Sequence, residues 1–419
     1  MSRPGPLQRL RQTRRLLARE GASGVAARLL RRALGRLEPP GRGAIPVERE
    51  HLVRASRLVA EGPPAHRPRP WTPGEPLEVA WITGPPGEGS GGHTTMFRIV
   101  ARLERHGHRC TVYVYDLHGW ELDQHRRTVA EWWPWVRAEV RDLAAGIADA
   151  HAVVATSWPT AYPALASPAA GRRFYFVQDL EPVFYPAGSL ALLAEATYRF
   201  GFHGITAGRW LAERLWADYG MTADHFDFGC ELEIYAAGEA GGEREGVCFY
   251  SRPSTPRRAH ELAVLALELF AERNPEVPIH AFGEPAGPLP FRYTDHGLLR
   301  PSELAALYRS CAGGLVLSAT NVSLVPYEML AAGCVPVVND AEHNRVVLAN
   351  DCVAYAPAQP AALAQALERL VRRPPAQRAA AAARAAASVR SASWEEAATQ
   401  VERALAREVA RAGAGELAA

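Results

Sequence analysis

Lysine is absent: all 47 basic residues of this 419-residue chain are arginine. That excludes Schiff-base and pyridoxal-phosphate chemistry and the lysine of a P-loop. Any phosphate must be held by arginine or by backbone N–H groups. No run approaches the ~18 apolar residues of a membrane-crossing helix. The opening MSRPGPLQRLRQTRR lacks the apolar stretch of a signal peptide. Six cysteines (Cys110, Cys230, Cys248, Cys311, Cys334, Cys352) show no paired spacing, and several sit in apolar runs. They read as buried thiols of a reduced, cytoplasmic protein.

What is present suits a globular protein with many loops: 48% hydrophobic residues, 22% charged and 33 prolines. The length predicts two domains plus extras. Charge is uneven. Residues 1–36 carry ten arginines against Glu20, a net +9, whereas the whole chain is +2, leaving −7 for the rest. An acidic body argues against general nucleic-acid binding. Within the basic stretch, 7–19 and 24–37 read as two short helices. They are either an amphipathic surface for an anionic membrane face, making the protein peripheral at the inner side of the cell membrane, or helices docked on the acidic body. A Pro-rich linker, Gly62 to Pro76, follows.

Two stretches carry the functional signal. In Gly314 to Asp340, the run Leu315–Leu317 reads as a buried strand, followed by a polar loop that includes Asn321, Ser323 and Leu324. A helix from about Pro326 to Ala332 and a second strand, Val335 to Val338, complete the unit. Ligands of doubly wound domains bind beyond the carboxyl ends of the strands, and a loop entering a helix there suits a phosphate. Glu328, in the first turn, either accepts from sugar hydroxyls beside the phosphate or merely complements the helix dipole.

In the first half, the strand Leu77 to Thr83 runs into a Gly-rich loop, Gly84 to His93, and a helix to Arg105. Gly87 to Gly92 satisfies G-x-G-x-x-G, with an acidic residue, Asp116, about two dozen positions on, so a dinucleotide site of an NAD-linked oxidoreductase is one reading. The fingerprint begins several residues past the strand, however, and leaves the Gly314 to Asp340 loop unexplained. Further on, Phe174 to Tyr185 joins a strand to an abrupt polar end at Gln178, Asp179 and Glu181, two acids placed for proton transfer. The cluster Glu131-Trp-Trp-Pro-Trp135 stacks on sugar, touches membrane or packs beneath a loop. Val247 to Tyr250 opens a second domain, followed by an arginine-rich loop with Arg252, Arg257 and Arg258.

These motifs resemble the GT-B glycosyltransferases, in particular glycosyltransferase family 4. The run Glu328-Met-Leu-Ala-Ala-Gly-Cys-Val-Pro-Val-Val is similar to the family's nucleotide-sugar signature. That signature has an earlier glutamate, here replaced by Thr320, so the family's retaining mechanism is not carried over. FVQDLEP, HFDFGCE, TPRRAHEL and SLVPYEMLAAGC resemble, more narrowly, rhamnosyltransferases of the WsaF type, which build bacterial surface polysaccharide from dTDP-rhamnose. The resemblance covers roughly residues 77 to 405.

It implies an α/β, GT-B architecture of two Rossmann-like doubly wound domains facing across a cleft, with an N-terminal helical extension. The segments are 1–76 for the extension and linker, 77–240 for the acceptor domain, 241–392 for the nucleotide-sugar domain and 393–419 for a last helix returning to the first domain. It also implies a nucleotide-sugar donor, dTDP-L-rhamnose, as substrate, with no cofactor and no metal. The absence of any Asp-x-Asp pair accords with that. The partner is a glycan acceptor, lipid-linked or free.

In this scheme Gly91 and Gly92 face the donor phosphates, and Arg252 with Arg257 or Arg258 holds the diphosphate. His296 and Leu298 line the base pocket; Asn321, Ser323, Leu324 and Glu328 line the nucleotide. Gln178 lines the cleft, Asp179 assists the acceptor, and Glu181 stands in reserve. A non-catalytic sugar-nucleotide-binding subunit of a polysaccharide assembly complex is the remaining alternative.

Overall fold

The computed structural model describes residues 45–62, 67–238 and 244–415. The chain divides into two compact units, Met1–Pro46 and Val47–Ala419. The two basic helices expected at 7–19 and 24–37 lie outside the described residues. Both sheets belong to the second unit.

Short runs such as Ala-Val-Val-Ala and Phe-Tyr-Phe-Val can be buried on both faces only in parallel sheets covered by helices. Such runs form the middle of the first sheet. Its strands are β1 (Glu78–Thr83), β2 (Arg109–Val114), β3 (Glu139–Asp142), β4 (Ala152–Ala155), β5 (Arg172–Val177), β6 (His203–Ala207) and β7 (Ala223–Phe226). All pair in parallel, in the order β3-β2-β1-β4-β5-β6-β7.

The second sheet repeats the plan with β8 (Gly246–Ser251), β9 (Ile279–Gly283), β10 (Thr294–Asp295), β11 (Cys311–Leu315), β12 (Val335–Asn339) and β13 (Ala354–Ala356). Its order is β10-β9-β8-β11-β12-β13, again parallel. Strand order therefore reverses between β1 and β4 and between β8 and β11. Those are the switch points at which such sheets open a crevice for ligand.

One apolar cluster runs from Trp81 and Phe97 through Phe226 and Phe228 to Met329 and Trp394, so the two sheets share a core. The closing helix, Trp394–Gly413, is capped by Ser393, whose hydroxyl accepts from Glu395 N at 3.1 Å. It packs on the Gly91–Arg105 helix and on β7.

One local expectation is corrected. The strand expected at Leu315–Leu317 occupies Cys311–Leu315. Gly313 and Gly314 lie within it because there is no room for side chains: a Cβ on Gly314 would stand 2.2 Å from Met329 Cε and 2.7 Å from Cys248 Sγ. The Ala-rich stretch Pro375–Ser388 is a helix, in keeping with alanine's propensity. Just beyond β12, Glu342–Leu348 forms a further helix.

Candidate functional site

Loops after β5 and β6 of the first sheet meet loops after β8 and β11 of the second face to face, and their contacts are polar. After β11, Ser318 is pinned from below: its N–H donates to Asn339 Oδ1 at 2.9 Å, and its carbonyl accepts from Asn339 Nδ2 at 2.7 Å and lies 2.9 Å from His343 Nε2. Ser318 Oγ in turn donates to the Asn321 carbonyl at 2.6 Å. Arg258, from the loop after β8, donates to Ser318 Oγ at 2.9 Å and to that same carbonyl at 3.2 Å. Burial works against its charge.

So braced, Asn321 reaches across the cleft, its side-chain amide donating to the carbonyls of Gln178 at 3.0 Å and Ala207 at 2.8 Å. Asp179 answers from the first sheet, accepting from Asn321 N at 2.9 Å and Arg257 Nε at 3.0 Å. Arg257 also lies over the Phe184 ring, 4.3 Å from its centroid. Charge-assisted bonds of this kind contribute about 1.5–3 kcal/mol each. Trp210 adds an indole bond to Glu342 at 3.1 Å.

The same loop leaves polar atoms without partners. Thr320 Oγ1, Asn321 Oδ1 and Ser323 Oγ are buried and make no hydrogen bond, and neither does Ser251 Oγ at the end of β8. Buried polar atoms are almost always paired, so four orphans at one switch point mark a place where a polar ligand or water completes the bonding. Arg252 stands at the edge, 3.4 Å from Glu284.

On the opposite wall Gly91 and Gly92 open a helix whose N-cap is Ser90. The Gly92 carbonyl accepts from Gln178 Nε2 at 3.0 Å. His93, which sequence reasoning passed over despite its place after the two glycines, lies within 2.9 Å of Ser90 Oγ and 3.1 Å of Thr83 Oγ1. Burial lowers its pKa to about 4, so the ring is neutral at pH 7.

Comparison with known proteins places this geometry. Residues 245–368 match the family described as WsaF, C-terminal domain, which spans the second sheet and its loops. The O-antigen biosynthesis protein RfbC of Myxococcus xanthus is 33% identical over 304 residues, 68% of this chain and 24% of the relative. The chain thus spans about a quarter of the length of the curated relative it matches.

Among solved structures, sucrose-phosphate synthase from Thermosynechococcus elongatus superposes with TM-score 0.61 at 15% identity, covering 80% of this chain and 99% of that one. An S. aureus TarM mutant in complex with fondaparinux, alpha-GlcNAc-glycerol and UDP gives 0.65 at 7% identity, covering 79% and 99%. Anabaena HepE in complex with UDP-glucose gives 0.60 at 15%, covering 80% and 99%. The chain has the GT-B fold, and its residues 245–368 are similar to the WsaF C-terminal domain.

Within this GT-B fold several side chains stand elsewhere than the sequence suggested. Asp179 does not stand free to meet an acceptor: it is buried, and both oxygens are engaged, Oδ1 also by Leu180 N at 2.9 Å. Its geometry is that of a residue positioning Arg257 and the Asn321 loop. Arg257 is correspondingly committed to Asp179, leaving Arg252 and Arg258 as the arginines nearest the orphaned oxygens.

Glu181 is enclosed, accepting from Trp158 N at 2.7 Å and from the Tyr175 hydroxyl at 2.9 Å, with no room for an acceptor. Burial pushes its carboxyl up to about 7 against the pull of those two donors. Glu328 is likewise pushed up to about 7 by burial. The Arg98 charge pulls it down, and Glu231 pushes it further up. The Tyr235 and Tyr308 hydroxyls beside it also pull it down. A carboxyl there is half-protonated near neutrality, so it can donate as well as accept.

His296 sits 3.0 Å from His280, and Leu298 is exposed, its methyls 3.3 Å from where a Cβ on Gly89 would be. Gly89 has φ 64, which a side chain would strain. Leu324 caps the Val325–Ala331 helix, and Ser323 adjoins it. Of the tryptophan cluster, Trp133 is buried beneath the Gly91–Arg105 helix, its indole donating to Thr94 at 3.0 Å, whereas Trp135 is exposed.

Proposed function

We propose that this protein is a glycosyltransferase of bacterial surface-glycan assembly, moving L-rhamnose from dTDP-L-rhamnose to a glycan acceptor. The observation that carries the reading is the set of orphaned oxygens on Thr320, Asn321, Ser323 and Ser251 at the β8/β11 switch point, between Arg252 and Arg258. A nucleoside diphosphate supplies both the anionic oxygens that those arginines take and the hydroxyls that those orphans need. The 33% identical RfbC supports a role in O-antigen-type glycans, and the WsaF-type match over the nucleotide half supports rhamnose.

In the reaction an acceptor hydroxyl oxygen forms a bond to the sugar's anomeric carbon as the bond to the diphosphate breaks. Arg252 and Arg258 neutralise the charge growing on the diphosphate. Asp179 holds Arg257 and the Asn321 loop in register. The acceptor's proton leaves to water or to a group other than Asp179 and Glu181.

The oxidoreductase reading fits less well. Gly89 is the fingerprint glycine at which a pyrophosphate approaches the backbone, and Leu298 of the second sheet's domain lies against it instead.

A thermal-shift series with dTDP, UDP, GDP and NAD tests the reading, with dTDP expected to stabilise most. A larger shift with UDP removes the rhamnose assignment and keeps the transferase. A shift with NAD alone removes both.

A further inference from the structure

Away from the cleft, a cavity of about 390 Å³ opens on the first domain between the Gly91–Arg105 helix and the Pro134–Arg137 loop. Its lining is unusual in charge. Arg98, Arg102 and Arg105 lie at i, i+4 and i+7 on one helix face, and Arg137 joins them from the loop. Only two glutamates, Glu104 and Glu231, share the lining.

Both glutamates are already engaged. Glu231 pairs with Arg98, accepting from its Nε at 3.0 Å, and Glu104 accepts from the Arg137 backbone N at 3.0 Å. From the far side Glu395 takes Arg105 at 2.8 Å but stands 3.8 Å from Arg102 Nε.

An ordinary structural role accounts for part of this: Arg98 stacks on Trp394, and Arg105 helps to fasten the last helix. It does not account for the remainder. Arg102 Nε is buried and makes no hydrogen bond. The charges of Arg105 and Arg98 add to burial in opposing the Arg102 charge. The Arg137 side chain makes no ion pair among the described residues and is exposed. Beside it Trp135 presents its ring to solvent, 46% exposed, on the cavity wall. Crowded arginines with an unused donor are relieved by an anion, and an exposed indole at the rim suits the apolar face of a sugar ring.

We propose that this cavity is a second ligand site, separate from the cleft, that binds a phosphorylated saccharide. Its phosphate is held by Arg102 and Arg137, and its ring lies on Trp135. If the chain is a glycosyltransferase as proposed above, the natural occupant is a phosphate-bearing part of the acceptor; the binding itself does not depend on that reading.

Calorimetric titration of the full chain with glucose 1-phosphate tests it, with dTDP in excess to occupy the cleft. Binding should persist under dTDP, and glucose without phosphate should bind at least tenfold more weakly. Arg137→Ala and Trp135→Ala, both at exposed side chains, should each weaken glucose 1-phosphate about tenfold and leave dTDP affinity unchanged. Absence of binding, displacement by dTDP, or unchanged affinity in both variants overturns the site. The phosphodiester of a lipid headgroup offers similar chemistry. If glucose 1-phosphate fails to bind while phosphatidylglycerol vesicles retain the wild type but not the variants, the saccharide is overturned in favour of a lipid surface. Failure of the transferase reading shows instead in the dTDP series, which does not involve this cavity.

Discussion

Glu181→Gln should stabilise the protein at alkaline pH, although Glu181 looked in sequence like part of a reacting pair. In the fold its carboxyl meets two donors, Trp158 N and the Tyr175 hydroxyl, inside a fully enclosed space. Burial outweighs those bonds and the nearby Arg257 charge, so the pKa rises from 4.5 to about 7. An acid whose pKa is higher folded than unfolded binds more protons in the native state across that interval. Its contribution is therefore favourable below about pH 4.5 and is lost as pH rises towards 7.

The gap corresponds to at most about 3 kcal/mol, fully felt at pH 8.5 and reduced by roughly three quarters at pH 5. Glutamine keeps the shape and both bonds: its oxygen accepts from Trp158 N, and its amide donates to the Tyr175 oxygen. It removes only the charge. For a chain of this size, about 1–2 °C per kcal/mol extends the trend with length. Melting of wild type and E181Q side by side should then show the variant about 3–6 °C higher at pH 8.5 and nearly level at pH 5. All other titrating groups cancel in the difference. A variant that melts lower at both pH values, or by the same margin at both, refutes the account of Glu181 as a buried, uncompensated carboxyl.

Three further outcomes follow from the cleft and the core. Asp179→Asn keeps the oxygen facing Asn321 N but turns an amide towards Arg257 Nε, so it should lower stability by about 1–2 kcal/mol. Transfer activity should stay within about tenfold of wild type; a loss of 10²–10⁴, the range for a missing proton acceptor, would restore Asp179 as the base. By calorimetry, Arg252→Ala should weaken nucleoside diphosphate binding with little effect on melting. Arg258→Ala should lower both, because it also braces Ser318 and Asn321; equal binding in both variants would place the diphosphate elsewhere. Gly314→Ala should cost about 1–3 kcal/mol by overpacking against Met329 and Cys248, and a melting curve matching wild type would contradict the packing described.

The sequence by itself determined the repeated strand-loop-helix plan and the reliance on arginine for any phosphate. Apolar runs such as Val-Cys-Phe-Tyr and Val-Pro-Val-Val declare buried parallel strands locally, and a missing lysine is a fact of composition. It also located the Ser318 to Ser323 loop and the Arg252 to Arg258 loop, because polar residues after an apolar run mark strand ends. It missed β11 by several residues, since Cys-Ala-Gly-Gly reads as a breaker until Met329 and Cys248 are seen to close on it.

Tertiary structure alone decided which polar groups meet. Asp179 and Asn321 are 142 positions apart and Arg98 and Glu231 are 133 apart, and no local pattern encodes either pairing. Whether a carboxylate at a strand end faces an acceptor or an arginine of the other domain depends on how two sheets dock. Glu181, two residues from Asp179, is turned inwards under Trp158 by the short helix Glu181–Phe184. Burial, a property of the assembled chain, then sets its charge.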